Sequence, residues 1–239
     1  TDYCVKYDYE PSFSFGKNKY FFYRFRSDRL TSDVGRAKLL NDSAKETSFA
    51  VMSCSNFPAG YFNVYEACAY EEIDFWIHLG DYLYEYPMDG YATENAQMLN
   101  RIPEPQHEIL TLSDYRRRHA QYKKDPQSKL LHATHPLIAV WDDHEITNDT
   151  WKYGAENHDA SEGSFLERKS NAIKAYLEWM PIRENIEKKN IYRSFKVGSL
   201  LNLIMLDTRQ NNRDKQIDPR NYFSSGRFDM DSFYNDLLN

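Results

Sequence analysis

From Phe49 onward, short runs of apolar residues alternate with a longer segment in which apolar positions recur every three or four residues. The runs are "FAVMSC" at 49–54, "DFWIHLGD" at 74–81 and "PLIAVWDD" at 136–143, and the helical pattern is "NVYEACAYEE" at 63–72. Strands that are apolar without interruption are typical of parallel sheets covered on both faces. The pattern therefore predicts an α/β core, with a long irregular excursion between the second and third strands.

A second amphipathic helix is predicted for "SFLERKSNAIKAYLEWMP", residues 164–181. Ser164 and Glu167 have the spacing of a capping box, and Pro181 is expected to end the helix. The apolar residues fall mostly on one face, which we assign to the core and not to a cofactor pocket. They are Phe165, Leu166, Ile173, Tyr176, Leu177 and Met180.

The last part of the chain predicts a hairpin followed by a helix. "IYRSFKVG" at 191–198 and "LLNLIMLD" at 200–207 are two strand-like runs separated by a single residue. The tail "SFYNDLLN" at 232–239 is helix-like. We find no internal repeat and no segment of low complexity.

The N-terminal part has β character of its own. "KYFFYRFRS" at 19–27 is rich in strand-forming aromatic residues, and "VGRAKLL" at 34–40 predicts another short strand. The polar segment from Asn41 to Ser48 is interpreted as a linker. We therefore divide the chain into a small β module at 1–45 and a main domain at 46–239.

Composition excludes some classes of function. The chain has 239 residues, 41% of them hydrophobic, which is enough for a substantial core. Its net charge of −6 argues against a general binder of nucleic acid or membrane surfaces. No run approaches the roughly 20 apolar residues of a membrane span, and no N-terminal segment has the pattern of a signal peptide.

Unusual polar groups follow three of the predicted strands. Cys54 ends the first, Asp81 and Tyr84 follow the second, and the acidic stretch "WDDHEITND" at 141–149 follows the third. Because the carboxyl ends of parallel strands meet at one edge, these groups are expected to share a crevice. Clustered carboxylates repel one another and are usually held either in open solvent or around a cation.

The ligand chemistry of these groups suggests metals. A carboxylate, a phenolate and a thiolate suit a high-valent transition metal, whereas carboxylates and amide oxygens suit a hard divalent ion. A site for two metals is therefore a hypothesis, although each element also has a structural interpretation. Cys54 alone fits a buried structural thiol, Tyr84 a packing aromatic, and Asp142 and Asp143 a solvated helix N-terminus. Only their joint occurrence favours a functional site.

The remaining cysteines carry no such signal. Cys4 lies near the terminus, and Cys68 falls on the apolar face of a predicted helix, so we assign both to structure. Three cysteines leave at least one without an internal partner, and cysteine usage therefore says little about the redox compartment.

Several segments together resemble the alkaline phosphatase D (PhoD-like) family of metallophosphatases. The resemblance covers nearly the whole chain, and the residues near Phe21–Arg26 are similar to the end of the family's small N-terminal β-sandwich domain. The long motif that begins in the acidic stretch is the most specific. The segments are "SCSN", "HLGDYLYEY", "LIAVWDDHEITNDTWKYGAENH", "RKSNAIKAYLEWMPIR" and "LIMLDTRQNNRD".

The resemblance implies a phosphoesterase that uses iron (Fe3+) and calcium, in a core of two β-sheets flanked by helices. It implies that Cys54, Asp81 and Tyr84 are ligands on the iron side, with Asp81 bridging to a second metal. Among the acidic stretch and its neighbours, the ranking of possible ligands stays open, with Asp143 and Asn148 taken as the second-metal candidates. The other residues in this ranking are Asp142 and Asp149.

The resemblance also implies catalytic roles for His144, which would face the phosphate, and for Arg209, which would contact the developing charge. The expected reaction is in-line attack on a small-molecule phosphate ester by a metal-bound hydroxide or oxide. Monoesters and diesters, and the oligomeric state, stay open. No stable nucleic-acid partner is expected, and a secreted or periplasmic location follows from the resemblance alone.

Two alternatives compete with this hypothesis. One is a non-catalytic module that binds phosphate or metal. The other is a thiol hydrolase that uses Cys54 with His144, although the spacing indicates no acid to orient the base. Family members continue after a strand like "LIMLD" with further core strands and a glycine-aspartate-x-histidine motif, which is not found here. The resemblance therefore implies a fragment whose second-metal site is deficient.

Overall fold

The computed structural model describes residues 4–10, 20–40, 43–183 and 191–238. Near the N-terminus, strands β1 (Tyr20–Tyr23) and β2 (Gly35–Lys38) pair antiparallel, as the aromatic pattern predicts. Lys19, Asn41 and Asp42 of the predicted strand and linker lie outside the described residues, and residues 43–48 contain no helix or strand.

The central sheet has three parallel strands. Strand β3 (Phe49–Met52) is followed by helix α1 (Asn63–Ala69) and by strand β4 (Phe75–His78). The strand order is β3-β4-β5, where β5 spans Leu137–Ala139, so β4 lies in the centre. All four residues of β4 are buried, whereas β3 is an edge strand with alternate residues exposed. The predicted α/β class is confirmed.

The excursion between β4 and β5 is not wholly irregular, and here the prediction is wrong. It contains helices α2 (Leu112–Lys124) and α3 (Pro126–Thr134). The side chains of Thr111 and Asp114 form a capping box at the start of α2, and Asp125 accepts hydrogen bonds from the first amides of α3. Residues 85–110 remain without helix or strand.

Helix α4 (Phe165–Trp179) follows the acidic stretch and ends just before Pro181, as predicted. Two details of the prediction are wrong. Ser164 begins the helix without a side-chain cap, because only its carbonyl oxygen accepts the amide of Glu167. Leu166 is 57% exposed, while the other apolar residues of that face are buried or packed against the core.

The remaining elements include the predicted hairpin. Strands β6 (Arg193–Val197) and β7 (Leu201–Met205) pair antiparallel. They are followed by the short pair β8 (Phe223–Ser224) and β9 (Arg227–Phe228) and by helix α5 (Met230–Leu238), which confirms the helical tail. Within the described ranges, no helix is both long and apolar enough to cross a bilayer.

Candidate active site

The carboxyl ends of the three parallel strands converge, as the sequence predicts. The amide of Cys54 donates to the carbonyl of Gly80 over 3.2 Å, and the amide of Ser55 donates to the carbonyl of Asp81 over 2.9 Å. Cys54 and Asp81 both have positive φ angles, 60° and 54°. Such angles are uncommon for residues other than glycine and concentrate at functional sites. The first two strand ends are thus held in a sharply turned, costly conformation.

Gly80 allows the end of β4 to approach the residues after β5. Its φ is +113°, and a Cβ atom placed on it would lie 2.3 Å from the amide nitrogen of Asp142 and 2.5 Å from the Cβ of Asp142. No side chain fits in that space. The acidic stretch can therefore pack directly against the turn that carries Asp81.

Asp81, Asp143 and His144 form a buried group that could hold a metal ion. One ligand atom from each residue lies within 4.8 Å of the others. Asp81 Oδ1 is buried and has no hydrogen-bond partner among the described residues, which is unfavourable unless a ligand supplies one. Cys54 Sγ and Tyr84 Oη each lie 3.4 Å from Asp81 Oδ2. Four donors thus lie around the Asp81 carboxylate, and the chemistry of the five groups fits a cation.

Burial and neighbouring charges shift the pKa values of Asp81, Cys54 and Tyr84 upward. Burial and the charges of Asp143 and Asp142 raise the pKa of Asp81, against the opposing effect of His144. Partial removal of the thiol from water is the largest cause that raises the pKa of Cys54, an exposed residue, and burial is the largest cause for Tyr84; Asp81 adds to both. Without a bound metal ion, the thiol and the phenol therefore stay protonated. A thiol nucleophile needs the opposite shift, which weakens the thiol-hydrolase alternative.

Glu145 connects the two strand ends, a role that the sequence did not reveal. Its buried carboxylate accepts the amides of Asp81 (3.1 Å), Tyr82 (2.7 Å) and Asp142 (2.9 Å). Burial and the charge of Asp81 raise the pKa of Glu145 to about 8, although the three amides favour its anion. The only sequence signal was an extra acid beside the expected ligands.

Glu85 forms a hydrogen bond with His144, a role that the sequence also did not predict. Its carboxylate, fully buried, lies 2.7 Å from His144 Nδ1 and accepts the amide of Asn148 over 2.7 Å. It accepts a further hydrogen bond from Asn157 Nδ2 over 2.9 Å. Burial opposes protonation of His144, but the hydrogen bond and charge of Glu85 outweigh it, helped by Asp81, and raise the pKa of His144 to about 9. With Nδ1 bound to Glu85, Nε2 is the atom left for a ligand: while protonated it donates to an anion, and it can bind a metal ion only after losing that proton.

Arg209 lies at the site but is bound to the acids. Its guanidinium contacts Asp142 at 2.6 Å, Asp149 at 3.3 Å and Asp143 at 3.4 Å. The positive charge of one arginine therefore balances part of the acidic stretch, a partner that the sequence analysis did not foresee. Asn148 Nδ2 donates to Glu156 over 2.9 Å, a contact that does not involve Oδ1, the atom through which an amide binds a metal ion.

The fold and the site together define an α/β domain with a candidate metal centre where three parallel strands end. The model of the PhoD-like phosphatase family matches residues 49–234. The chain therefore belongs to the PhoD-like phosphatase family.

The relatives agree with this assignment. Alkaline phosphatase D of Bacillus subtilis (strain 168) is 37% identical over 205 residues, which are 83% of this chain and 34% of that protein. A solved structure described as the structure of PhoD is 36% identical, with a TM-score of 0.73, over 83% of this chain and 38% of that one. The chain spans about a third of the length of the curated relative.

Proposed function

We propose that the protein hydrolyses small-molecule phosphate esters, as an alkaline phosphatase or phosphodiesterase. The observation that carries this proposal is the group of Asp81, Asp143 and His144 at the strand ends of a PhoD-like phosphatase. Phosphate-ester hydrolysis is extremely slow without a catalyst, and positioning and charge stabilisation are the main contributions that a protein can make.

We further propose that the site holds iron (Fe3+) on the side of Cys54, Asp81 and Tyr84, and calcium on the side of Asp143 and Asn148. A thiolate and a phenolate suit the first ion, and carboxylate and amide oxygens suit the second. Asn148 would bind through Oδ1 while its Nδ2 keeps the contact with Glu156. When bound, such ions supply an activated water molecule and neutralise phosphate oxygens.

The residues of the chain then orient the substrate. His144, protonated because of Glu85, donates through Nε2 to a phosphate oxygen, and its ring is fixed by the bond at Nδ1. Arg209 contacts Asp142 at 2.6 Å, and its longer contacts, with Asp149 at 3.3 Å and Asp143 at 3.4 Å, are those that it would exchange for a phosphate oxygen. His144 therefore contributes positive charge that is already positioned before the substrate arrives, whereas Arg209 must first exchange a contact with the acids.

For the rest of the protein, we propose the organisation that the resemblance implies. Residues 1–45 would be the end of a small β-sandwich domain, and residues 46–239 would be the N-terminal part of the catalytic domain. The salt bridge between Lys38 and Asp74 connects the two regions. A secreted or periplasmic location is part of the same proposal.

The proposed function predicts that the full-length protein hydrolyses a chromogenic phosphate ester at alkaline pH. We expect treatment with a strong chelator to abolish this activity, because the metals supply the activated water, and we expect iron and calcium to restore it. The assay is the rate of release of the chromophore before and after chelation. Equal rates would contradict the metal mechanism, and metal binding without turnover would favour the non-catalytic module.

The assignment of iron predicts a spectroscopic effect of replacing Tyr84. A bound phenolate donates charge to Fe(III), so the loaded protein should absorb visible light, and Tyr84→Phe should abolish this band and lower the iron content. Tyr82→Phe is the matched control, because it also removes a buried hydroxyl, one bound to His132 at 2.9 Å. An unchanged spectrum in Tyr84→Phe would mean that Tyr84 is a packing aromatic.

A further inference from the structure

A continuous row of aromatic rings leads from the candidate metal centre to the surface. The rings of Tyr84 and His144 are 4.2 Å apart, and the ring of Tyr86 lies 5.5 Å from His144. Tyr91 lies 6.2 Å from Tyr84, with the two ring planes 28° apart, and 5.9 Å from Tyr86. We call Tyr84, Tyr86 and Tyr91 the aromatic wall.

A buried arginine fixes the backbone of the aromatic wall. Arg118, on α2, is 1% exposed and donates to the carbonyl oxygens of Tyr84 and, over 3.2 Å, of Tyr86. The same guanidinium donates to the carbonyl of Pro105 over 2.9 Å, and so links residues 84–86 to a later part of the same loop. Guanidinium groups hold several acceptors in one plane. The wall is therefore preorganised although it carries no regular secondary structure.

Tyr91 is held against this fixed base by a tight turn. The amide of Gly90 donates to the carbonyl of Pro87 over 3.0 Å, and Thr93 Oγ1 donates to the carbonyl of Gly90 over 2.9 Å. A Cβ atom at Gly90 would lie 2.8 Å from the Cβ of Tyr86, so only glycine allows this approach. The ring of Tyr91 is thus placed by the backbone and not by burial.

Exposure increases along the wall. Tyr84 is 7% exposed beside the metal-binding group, whereas Tyr91 is 62% exposed at the outer end. An exposed aromatic ring on a fixed backbone, next to a charged site, has the properties of a stacking platform for a ligand. Stacking on aromatic side chains tolerates any planar ring and needs little hydrogen bonding.

We propose that Tyr91, supported by Tyr86, stacks on an aromatic organic group of the substrate, such as an aryl group or a nucleobase. The inference rests on the proposed function, since it places the phosphate at His144 and the ring of the ester against the wall. The wall then selects esters of aromatic groups over esters of small alkyl groups. Tyr91 is a specificity-determining residue in this scheme and takes no part in proton transfer.

The test compares Tyr91→Ala and Tyr91→Phe in the full-length protein, with an aryl phosphate ester and an ethyl phosphate ester as substrates. We expect Tyr91→Ala to raise KM for the aryl ester about tenfold and to leave kcat unchanged, because one stacking contact is lost. KM for the ethyl ester should not change, and Tyr91→Phe should match the parent. Tyr70→Ala is the control, since Tyr70 is 75% exposed and precedes the opposite end of β4.

A binding measurement separates this inference from the proposed function. Calorimetry with phenylphosphonate and methylphosphonate needs no turnover, and the parent should bind the phenyl compound about tenfold more tightly. Tyr91→Ala should remove that difference. Equal affinity of the parent for both compounds, or equal losses for both in Tyr91→Ala, would overturn the stacking role. Absence of turnover with every ester would contradict the proposed function, while the phosphonates would still decide the role of Tyr91.

Discussion

Replacing Gly80 with alanine is expected to destabilise the protein by roughly 3 kcal/mol and to abolish metal binding. The added Cβ would meet the amide nitrogen of Asp142 at 2.3 Å, and a backbone atom cannot move aside without displacing the acidic stretch. The φ of +113° adds a conformational cost. Urea unfolding measures the stability, and elemental analysis measures the bound metals.

Gly163→Ala is a control that separates the steric clash expected at Gly80 from the conformational cost of a positive φ. Gly163 has a similar φ of +95°, but no heavy atom of the described residues lies within 4 Å of the Cβ that alanine would add. We expect this variant to lose only about 1–2 kcal/mol and to keep its metals. If the two variants lose the same stability and the same metal, the close approach of Gly80 to Asp142 does not matter for the site.

Replacing Glu85 with glutamine is expected to lower kcat about 100-fold with a smaller effect on KM. The amide has nearly the same shape as the carboxylate, but it lacks the charge that orients His144 and keeps it protonated. The pKa of His144 should fall from about 9 toward its ordinary value. The nitrogen chemical shifts of the imidazole, followed with pH in the metal-free protein, report this change directly.

The free energy of unfolding should depend on pH through the same titration of His144. Because the folded-state pKa of His144 is raised, its protonation stabilises the parent fully below the unfolded pKa of about 6.5. This contribution is lost as the pH rises through about 9. Glu85→Gln should lack this dependence. Glu145→Gln, which changes the other buried carboxylate of the site, should lower the free energy of unfolding, whereas the hydrogen bond at His144 Nδ1 should persist. A His144 titration in Glu85→Gln that matches the parent would exclude Glu85 as the positioning residue.

The sequence predicted those helices and strands whose buried residues are mainly apolar. Strand β4 is an uninterrupted apolar run, and the helical face of α4 is marked by Phe165 and Tyr176, so both were found. Helix α2 was missed because its buried face includes Arg118 and His119. The periodicity of apolar residues does not indicate a helix whose buried face is partly polar.

For the site, the sequence predicted the gathering of donors but not the groups that hold them. The carboxyl ends of adjacent parallel strands must meet, and this rule placed Cys54, Asp81 and the acidic stretch together. The roles of Glu85 and Glu145 depend on where backbone amides point after the strands have ended. Only the three-dimensional arrangement contains that information. The assignments of individual metals to individual ligands remain predictions.

The bonds of Glu145 have a mechanical consequence. The Glu145 carboxylate accepts two amides from the turn after β4 and one from the acidic stretch. These bonds lie where the pairing between β4 and β5 ends. These three hydrogen bonds therefore constrain the spacing between Asp81 and Asp143 at the base of the two loops. The outer parts of those loops can lengthen, shorten or change sequence without altering this spacing, so substrate preference can diversify while the donor geometry stays constant.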